Sequence, residues 1–208
     1  MKFALELDHL AIVCRSIEEG VASVERALGA RMSAGGKHVA MGTHNALLSL
    51  GPDVYLEVIS VDPEASPPDR NRWFDLDDQA GPPLLANWVC RTNDLAAALH
   101  VAPEGSGKPM AFCRGELAWR MAVSETGRLP YDGAMPALIQ WDTDAHPCRT
   151  LPDVGLRFHS LDVFHPEASC LLEVFPALKA LGSVTLRHGS QKRLVARIST
   201  PKGMRVLR

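Results

Sequence analysis

Two side chains in the first sixty residues stand inside apolar runs although their types do chemistry. His9 lies in the middle of the run LELDHLAIV, and Glu57 sits inside the apolar run at 54–61. A lone His among apolar neighbours is ordinarily a core residue bonded to a carbonyl. A carboxylate in the same setting is costly unless it is paired, hydrogen-bonded or metal-bound. Period-2 alternation puts Tyr55, Glu57 and Ile59 on one strand face, and Leu5, Leu7, His9, Ala11 and Val13 on one face of the first strand.

Other polar groups are open to two readings. His44 and Asn45 follow Gly42 near a strand start, where Asn45 either bonds the local backbone in a turn or enters a pocket. Trp119 and Arg120 are adjacent, so they point to opposite sheet faces and only one lines an interior. Arg120 suits either a carboxylate or phosphate held bidentately, or a surface salt bridge. His100, His146, His159, His165 and His188 lack a matching acidic partner in the sequence and read as structural.

Composition narrows the function classes. The 208 residues carry 22 Lys and Arg against 24 Asp and Glu, a net charge of −2, which argues against a nucleic-acid partner. A hydrophobic fraction of 46% with 22% charged residues is that of a globular chain. No apolar run approaches the roughly 18–20 residues of a membrane span, and Glu6 and Asp8 interrupt any signal-peptide core, so a cytoplasmic protein is expected. The five cysteines are odd in number, widely spaced and without C-x-x-C, which argues against a disulfide framework and a structural zinc. Cys14, Cys90 and Cys113 are expected to be small buried hydrophobes. Gly105-Ser106-Gly107-Lys108 lacks the first Gly of a P-loop and runs into Pro109. No G-x-G-x-x-G or G-x-S-x-G occurs, so no nucleotide cofactor is expected.

The elements that must position these groups follow from pattern. Residues 5–13 read as a strand, and Ser16-Ile17-Glu18-Glu19 is a capping box. Ile17, Val21, Val24 and Leu28 make one helical stripe that Gly29 stops. Strands follow at 31–41, with a Gly-Gly break at 35–36, at 44–50 and at 54–61, the last two joined by Gly51-Pro52-Asp53. The Pro-rich, acidic stretch 62–83 reads as a linker or lid over a cup mouth, with Trp73 and Phe74 able to drop onto a ligand. The pattern then restarts. Val13-Cys14-Arg15-Ser16 matches Val89-Cys90-Arg91-Thr92, and Tyr55-Leu56-Glu57-Val58 matches Leu138-Ile139-Gln140-Trp141. The expected organisation is one module at 1–62, a lid loop at 63–84, a second module at 85–144 and a partial β-α-β-β unit at 154–208. Pro176 should break or kink the helix of that last unit.

Asp8-His9-Leu10, Gly42-Thr43-His44-Asn45 and Tyr55-Leu56-Glu57 together resemble the vicinal oxygen chelate superfamily, which includes glyoxalase I, bleomycin-resistance proteins and extradiol dioxygenases. Leu117-Ala118-Trp119-Arg120, Ile139-Gln140-Trp141, His146-Pro147 and Thr200-Pro201-Lys202-Gly203 fit its glyoxalase-like domain family, so the likeness runs along nearly the whole chain. The resemblance implies an α+β fold of tandem βαβββ modules curled into a cup. It also implies a divalent metal (Zn, Ni, Mn or Fe) held at the cup floor by the first and last strands of each module. Carried over, the ligands are His9 and Glu57 from the first module and Gln140 from the second, with Glu57 also able to move a proton. The remaining first-strand position falls on Leu85, which cannot ligate a metal, and Asn87 on the same side is a substrate contact alongside His44, Asn45, Trp119 and Arg120. The function implied is a metal-assisted enzyme of lyase, isomerase or dioxygenase type on a small oxygenated substrate. The alternative is a metal-free cup that binds an aromatic or drug-like molecule. Either takes a small-molecule partner, and a homodimer is compatible with both.

Overall fold

The computed structural model describes residues 3–208. Strand β1 (Leu5–Val13), helix α1 (Ile17–Leu28) and strands β2 (Ser33–His38), β3 (Thr43–Ser49) and β4 (Tyr55–Val61) form the first module. Strand β5 (Leu84–Thr92), helix α2 (Leu95–Val101) and strands β6 (Lys108–Arg114), β7 (Leu117–Val123) and β8 (Ala137–Trp141) form the second. All eight strands join one curled sheet in the order β2-β3-β4-β1-β5-β8-β7-β6. In each half the first strand pairs parallel with the last. The two halves meet where β1 and β5 pair antiparallel, so the order reads alike from either edge. The internal repeat in the sequence is a repeat of topology.

Local signals act as the sequence implies. Ser16 Oγ accepts from the Glu19 amide at 3.3 Å, and Gly29 closes α1 with φ 71°. The sheet then separates two cores. Leu10, Ile12, Val58, Trp88 and Cys90 face the helices, whereas Ala11, Val13, Ile59, Val89, Trp119 and Ile139 face the cup.

Simple alternation fails at one place in β1. The pairing of β1 with β5 shifts between Leu7 and His9, a β-bulge at Asp8. Leu7 packs in the helix-side core while Ala11 and Val13 lie on the cup side. The extra residue therefore brings Asp8 and His9 together, instead of leaving them on opposite faces.

The 62–83 segment is more than a cover. It carries a short 3₁₀ stretch at Trp73–Asp78, with Phe74 and Asp75 in the left-handed region. Trp73 and Phe74 are only 6% and 5% exposed and belong to the cup-side core. They plug the cup, because an indole and a phenyl ring remove more apolar area from water there than over a solvated mouth.

The C-terminal residues form a complete unit rather than a partial one: β9 (Arg157–His165), helix α4 (Ala168–Val174), and β10 (Val184–His188), β11 (Arg193–Thr200) and β12 (Gly203–Leu207). The one-turn helix α3 (Pro147–Thr150) precedes it. The four strands make a separate sheet, β10-β9-β11-β12, in which β9 pairs parallel with the strand that follows its helix. That differs from the first two modules, so the unit is not a third copy. It packs on the helix-side core through Leu161, Val163, Leu171 and Phe175. As expected, Pro176 ends α4, and a 3₁₀ turn follows at Pro176–Ala180. Cys14 and Cys90 are buried, but Cys113 is exposed, since β6 is a sheet edge.

Candidate functional site

The bulge in β1 creates the centre of the site. His9 Nδ1 lies 2.6 Å from Asp8 Oδ1, and its Nε2 lies 3.6 Å from Glu57 Oε2 across the β1–β4 pair. All three side chains are buried. Asp8 Oδ2 accepts from Trp141 Nε1 at 2.9 Å and meets His146 Nε2 at 3.1 Å, so the carboxylate is fully occupied. The His9 ring stacks on Tyr55, with centroids 4.4 Å apart.

A second set of polar groups continues from Glu57. Asn45 Nδ2 donates to Glu57 Oε1 at 2.5 Å. Asn45 Oδ1 accepts from the Gly36 amide at 2.8 Å and from Arg114 Nη1 at 3.3 Å. The same Arg114 nitrogen lies 3.4 Å from His38 Nε2. A guanidinium only donates, so that ring nitrogen is the acceptor and His38 gives its Nδ1 proton to Thr43 Oγ1, 3.1 Å away. The Gly35-Gly36 pair has its reason here. A Cβ on Gly35 would stand 2.0 Å from Asn45 Oδ1, and one on Gly36 would stand 2.6 Å from Arg114 Cδ.

The charges follow from these partners. Burial disfavours charge on His9, but Asp8 and Glu57 outweigh it and raise the imidazole to about 9. Burial likewise opposes ionisation of Glu57, yet His9 and Asn45 hold it down to about 2. Asp8, against the same burial, is held below the usual carboxylate range by His146 and His9. Burial pushes His38 down to about 4, so it stays neutral. A charged imidazolium thus lies between two carboxylates, one of them facing a cleft.

That cleft has a cavity volume of only about 30 Å³, narrowed by Trp73 and Phe74, and is lined by His9, Glu57, Arg114, Trp73, Trp119 and Trp141, among others. Phe112 stacks on Trp119 at 5.6 Å, and Trp119 tilts toward Trp141 at 5.7 Å, which gives the cleft an aromatic wall.

The expected residues divide. His9, Glu57, Asn45 and Trp119 meet at the cleft. Gln140 does not: its Oε1 accepts from the Leu95 amide at 2.8 Å, satisfying an orphan donor at the α2 N-terminus. Its neighbours Ile139 and Trp141 line the cleft instead. Gln140 thus lies on the face of β8 turned away from the cup, whereas Glu57 faces it, and any odd slip of register between two strands exchanges the faces. Leu85 also lies in the helix-side core. Arg120 is on the outer face, paired bidentately with Asp142 at 2.7–3.1 Å. His44 pairs in register with Ser60 and Lys37 outside the cleft. Asn87 lines a separate cavity at the Val13 end of the cup. Asp8, His38, Arg114 and His146 are contributions that spacing did not reveal. The Gly-Gly break was the one signal available for Arg114.

A cup metal would need more than this site offers. Catalytic metal sites keep about three protein ligands. The first module supplies His9 and Glu57, while the second presents Ile139 and Trp141. Among the described residues no three His, Cys, Asp or Glu side chains are grouped to hold an ion.

Paired βαβββ modules around a shared cup are the architecture of the vicinal oxygen chelate superfamily. The chain belongs to the glyoxalase-like domain family, whose model matches residues 7–179. No curated protein matches the chain. Among solved structures, a hypothetical protein from Staphylococcus aureus is similar at 14% identity with a TM-score of 0.63, over 91% of this chain and 88% of that one. Methylmalonyl-CoA epimerase from Mycobacterium tuberculosis aligns at 19% identity with a TM-score of 0.40, over 65% of this chain and 85% of that one.

Proposed function

We propose that the cup takes a small molecule carrying a carbonyl and an anionic group, and that His9 and Glu57 move a proton on it without a metal. The observation that carries this reading is the buried line Asp8–His9–Glu57, opening on a cleft that also presents Arg114. Arg114 is a planar donor fork suited to a carboxylate. His9, kept charged by Asp8, donates from Nε2 to a carbonyl oxygen and stabilises the negative charge that develops there. Glu57 accepts the proton from the adjacent carbon. A carboxylate held at about 2 is a weak base. It can act only on a carbon that a polarised carbonyl has made acidic, which is what the charged imidazole provides. The aromatic wall keeps water from competing.

Deuterium exchange tests the reading. Chelator-treated protein is incubated in D₂O with pyruvate and a panel of 2-oxo and 2-hydroxy acids, and loss of C–H signal is followed by NMR. Saturable exchange that disappears in Glu57→Gln supports it. Exchange or a melting shift that appears only with added Zn, Ni, Mn or Fe would overturn it in favour of metal-assisted chemistry. Quenching of tryptophan fluorescence by ligand with no exchange would instead favour the non-catalytic binding cup, for which the wall of Trp73, Trp119 and Trp141 is the specific support.

A further inference from the structure

A second cavity lies at the opposite end of the β1–β5 seam. Its cavity volume is about 320 Å³, and it is lined by Val13, Ala86, Asn87, Gly133 and Lys192, with Phe74 as the wall it shares with the His9 cleft. Lys192 comes from the turn between β10 and β11, so the C-terminal unit reaches back into the cup. Its Nζ donates to the Ala86 carbonyl on β5. Among the described residues no carboxylate lies within 4.0 Å of it, although Asp75 and Asp132 line the same cavity.

The surrounding backbone keeps space open at that amine. Gly133 has φ 85°, and a Cβ there would stand 2.9 Å from Asn87 Oδ1 and 3.4 Å from Lys192 Nζ. Glycine thus leaves a methyl-sized hollow touching both groups. Among the described residues, the non-glycine residues with left-handed backbones are Phe74, Asp75, Tyr131 and Asp132, and all but Tyr131 line this cavity. Such conformations cost energy and collect at functional sites. Arg128 is held by Asp75 and Asp78 at 2.9 and 2.7 Å, so the cation at the rim is already neutralised. With three aspartates against two cations, the cavity suits a neutral ligand better than an anion.

We propose that this cavity is a second small-molecule site, in which the Lys192 amine condenses reversibly with the carbonyl of an aldehyde or ketone. The Nζ lone pair attacks the carbonyl carbon to give a carbinolamine. Loss of water, which carries off the carbonyl oxygen and two hydrogens, one of them from nitrogen, leaves the C=N bond. No oxidant or reductant is consumed. Asn87 Oδ1 accepts from the carbinolamine hydroxyl, and Gly133 makes room for the added carbon. Burial also pushes the Lys192 ammonium down to about 8, against the pull of Asp132 and Asp75, which enlarges the share of free amine at neutral pH.

The test is competitive labelling of the intact protein. Propanal and sodium cyanoborohydride are added at pH 7 in limiting amount, and the alkylated lysines are mapped by mass spectrometry. Lys192 should be modified about tenfold or more faster than Lys37, Lys108, Lys179 and Lys202, the advantage of a larger neutral fraction. Prior incubation with acetone should slow Lys192 alone. Asn87→Ala should reduce the rate at Lys192 several-fold while the surface lysines are unchanged. Labelling of Lys192 at or below the surface rate in the wild type would overturn the proposal, whether or not any variant folds. Equal rates in wild type and Asn87→Ala would remove Asn87 from it.

Discussion

His9 Nδ1 and Asp8 Oδ1 are 2.6 Å apart although the two residues are consecutive in one β-strand. Regular pleating would point them to opposite faces. The bulge between Leu7 and His9 brings them together, and the buried pair that results is what keeps His9 charged. An extra residue in a strand therefore acts as part of the site.

The pair fixes the pH dependence of stability. His9 titrates at about 9 in the fold against 6.5 unperturbed. Its stabilisation is complete below pH 6.5 and is lost as the pH rises through 9. The upper bound is about 3 kcal/mol at roughly 1.4 kcal/mol per pKa unit. The melting temperature should fall between pH 7 and 10. Asp8→Asn should flatten that fall and bring the His9 titration, read by NMR, back toward neutrality. A wild-type profile without slope in this window would contradict the assignment.

Glu57 sets the acid side. Its carboxyl is held at about 2 against 4.5, so its contribution is present above pH 4.5 and fades as the pH falls toward 2. Glu57→Gln should cost about 1–3 kcal/mol at pH 7, because it leaves His9 with one carboxylate rather than two. Urea titration at pH 7 and pH 3 should show the gap between wild type and variant narrowing in acid.

Trp73 is expected to behave as core. Trp73→Ala should cost about 3–5 kcal/mol in urea unfolding, the range for a large aromatic removed from a packed interior. A lid residue that only touches ligand would leave the midpoint unmoved and change binding alone.

The two arginines should separate cleanly. Arg120→Ala removes an exposed pair with Asp142 and should leave both ligand binding and melting temperature within error. Arg114→Ala should weaken binding of carboxylate-bearing ligands tenfold or more while a neutral analogue is unaffected, measured by fluorescence quenching. Equal losses for both ligands would show that Arg114 only shapes the cleft.

Much of the module architecture was legible because it rests on local signals. The capping box at Ser16, the stop at Gly29, the turn at Gly51-Pro52-Asp53 and the restart at residue 85 each act within a few residues. Glu57 was legible for another reason: a carboxylate in an apolar run requires a partner wherever the chain goes, and His9 was singled out beside it by the family resemblance. What failed were inferences that depended on face. Gln140 turns toward α2 instead of the cup, and Asp8 joins His9 instead of facing away, the first through strand register and the second through one bulged residue.

The sequence by itself determined the elements and their repetition and marked Glu57 as a carboxylate in need of partners, since propensity, capping and the cost of burying charge are properties of short segments. Tertiary structure alone decided which residues meet. Arg114 reaches Asn45 from a strand 69 residues away, His146 reaches Asp8 across 138, and Lys192 reaches Ala86 across 106. No periodicity encodes those distances. They arise when two curled half-sheets and a C-terminal unit close on one another, and the packing of the whole core selects that closure.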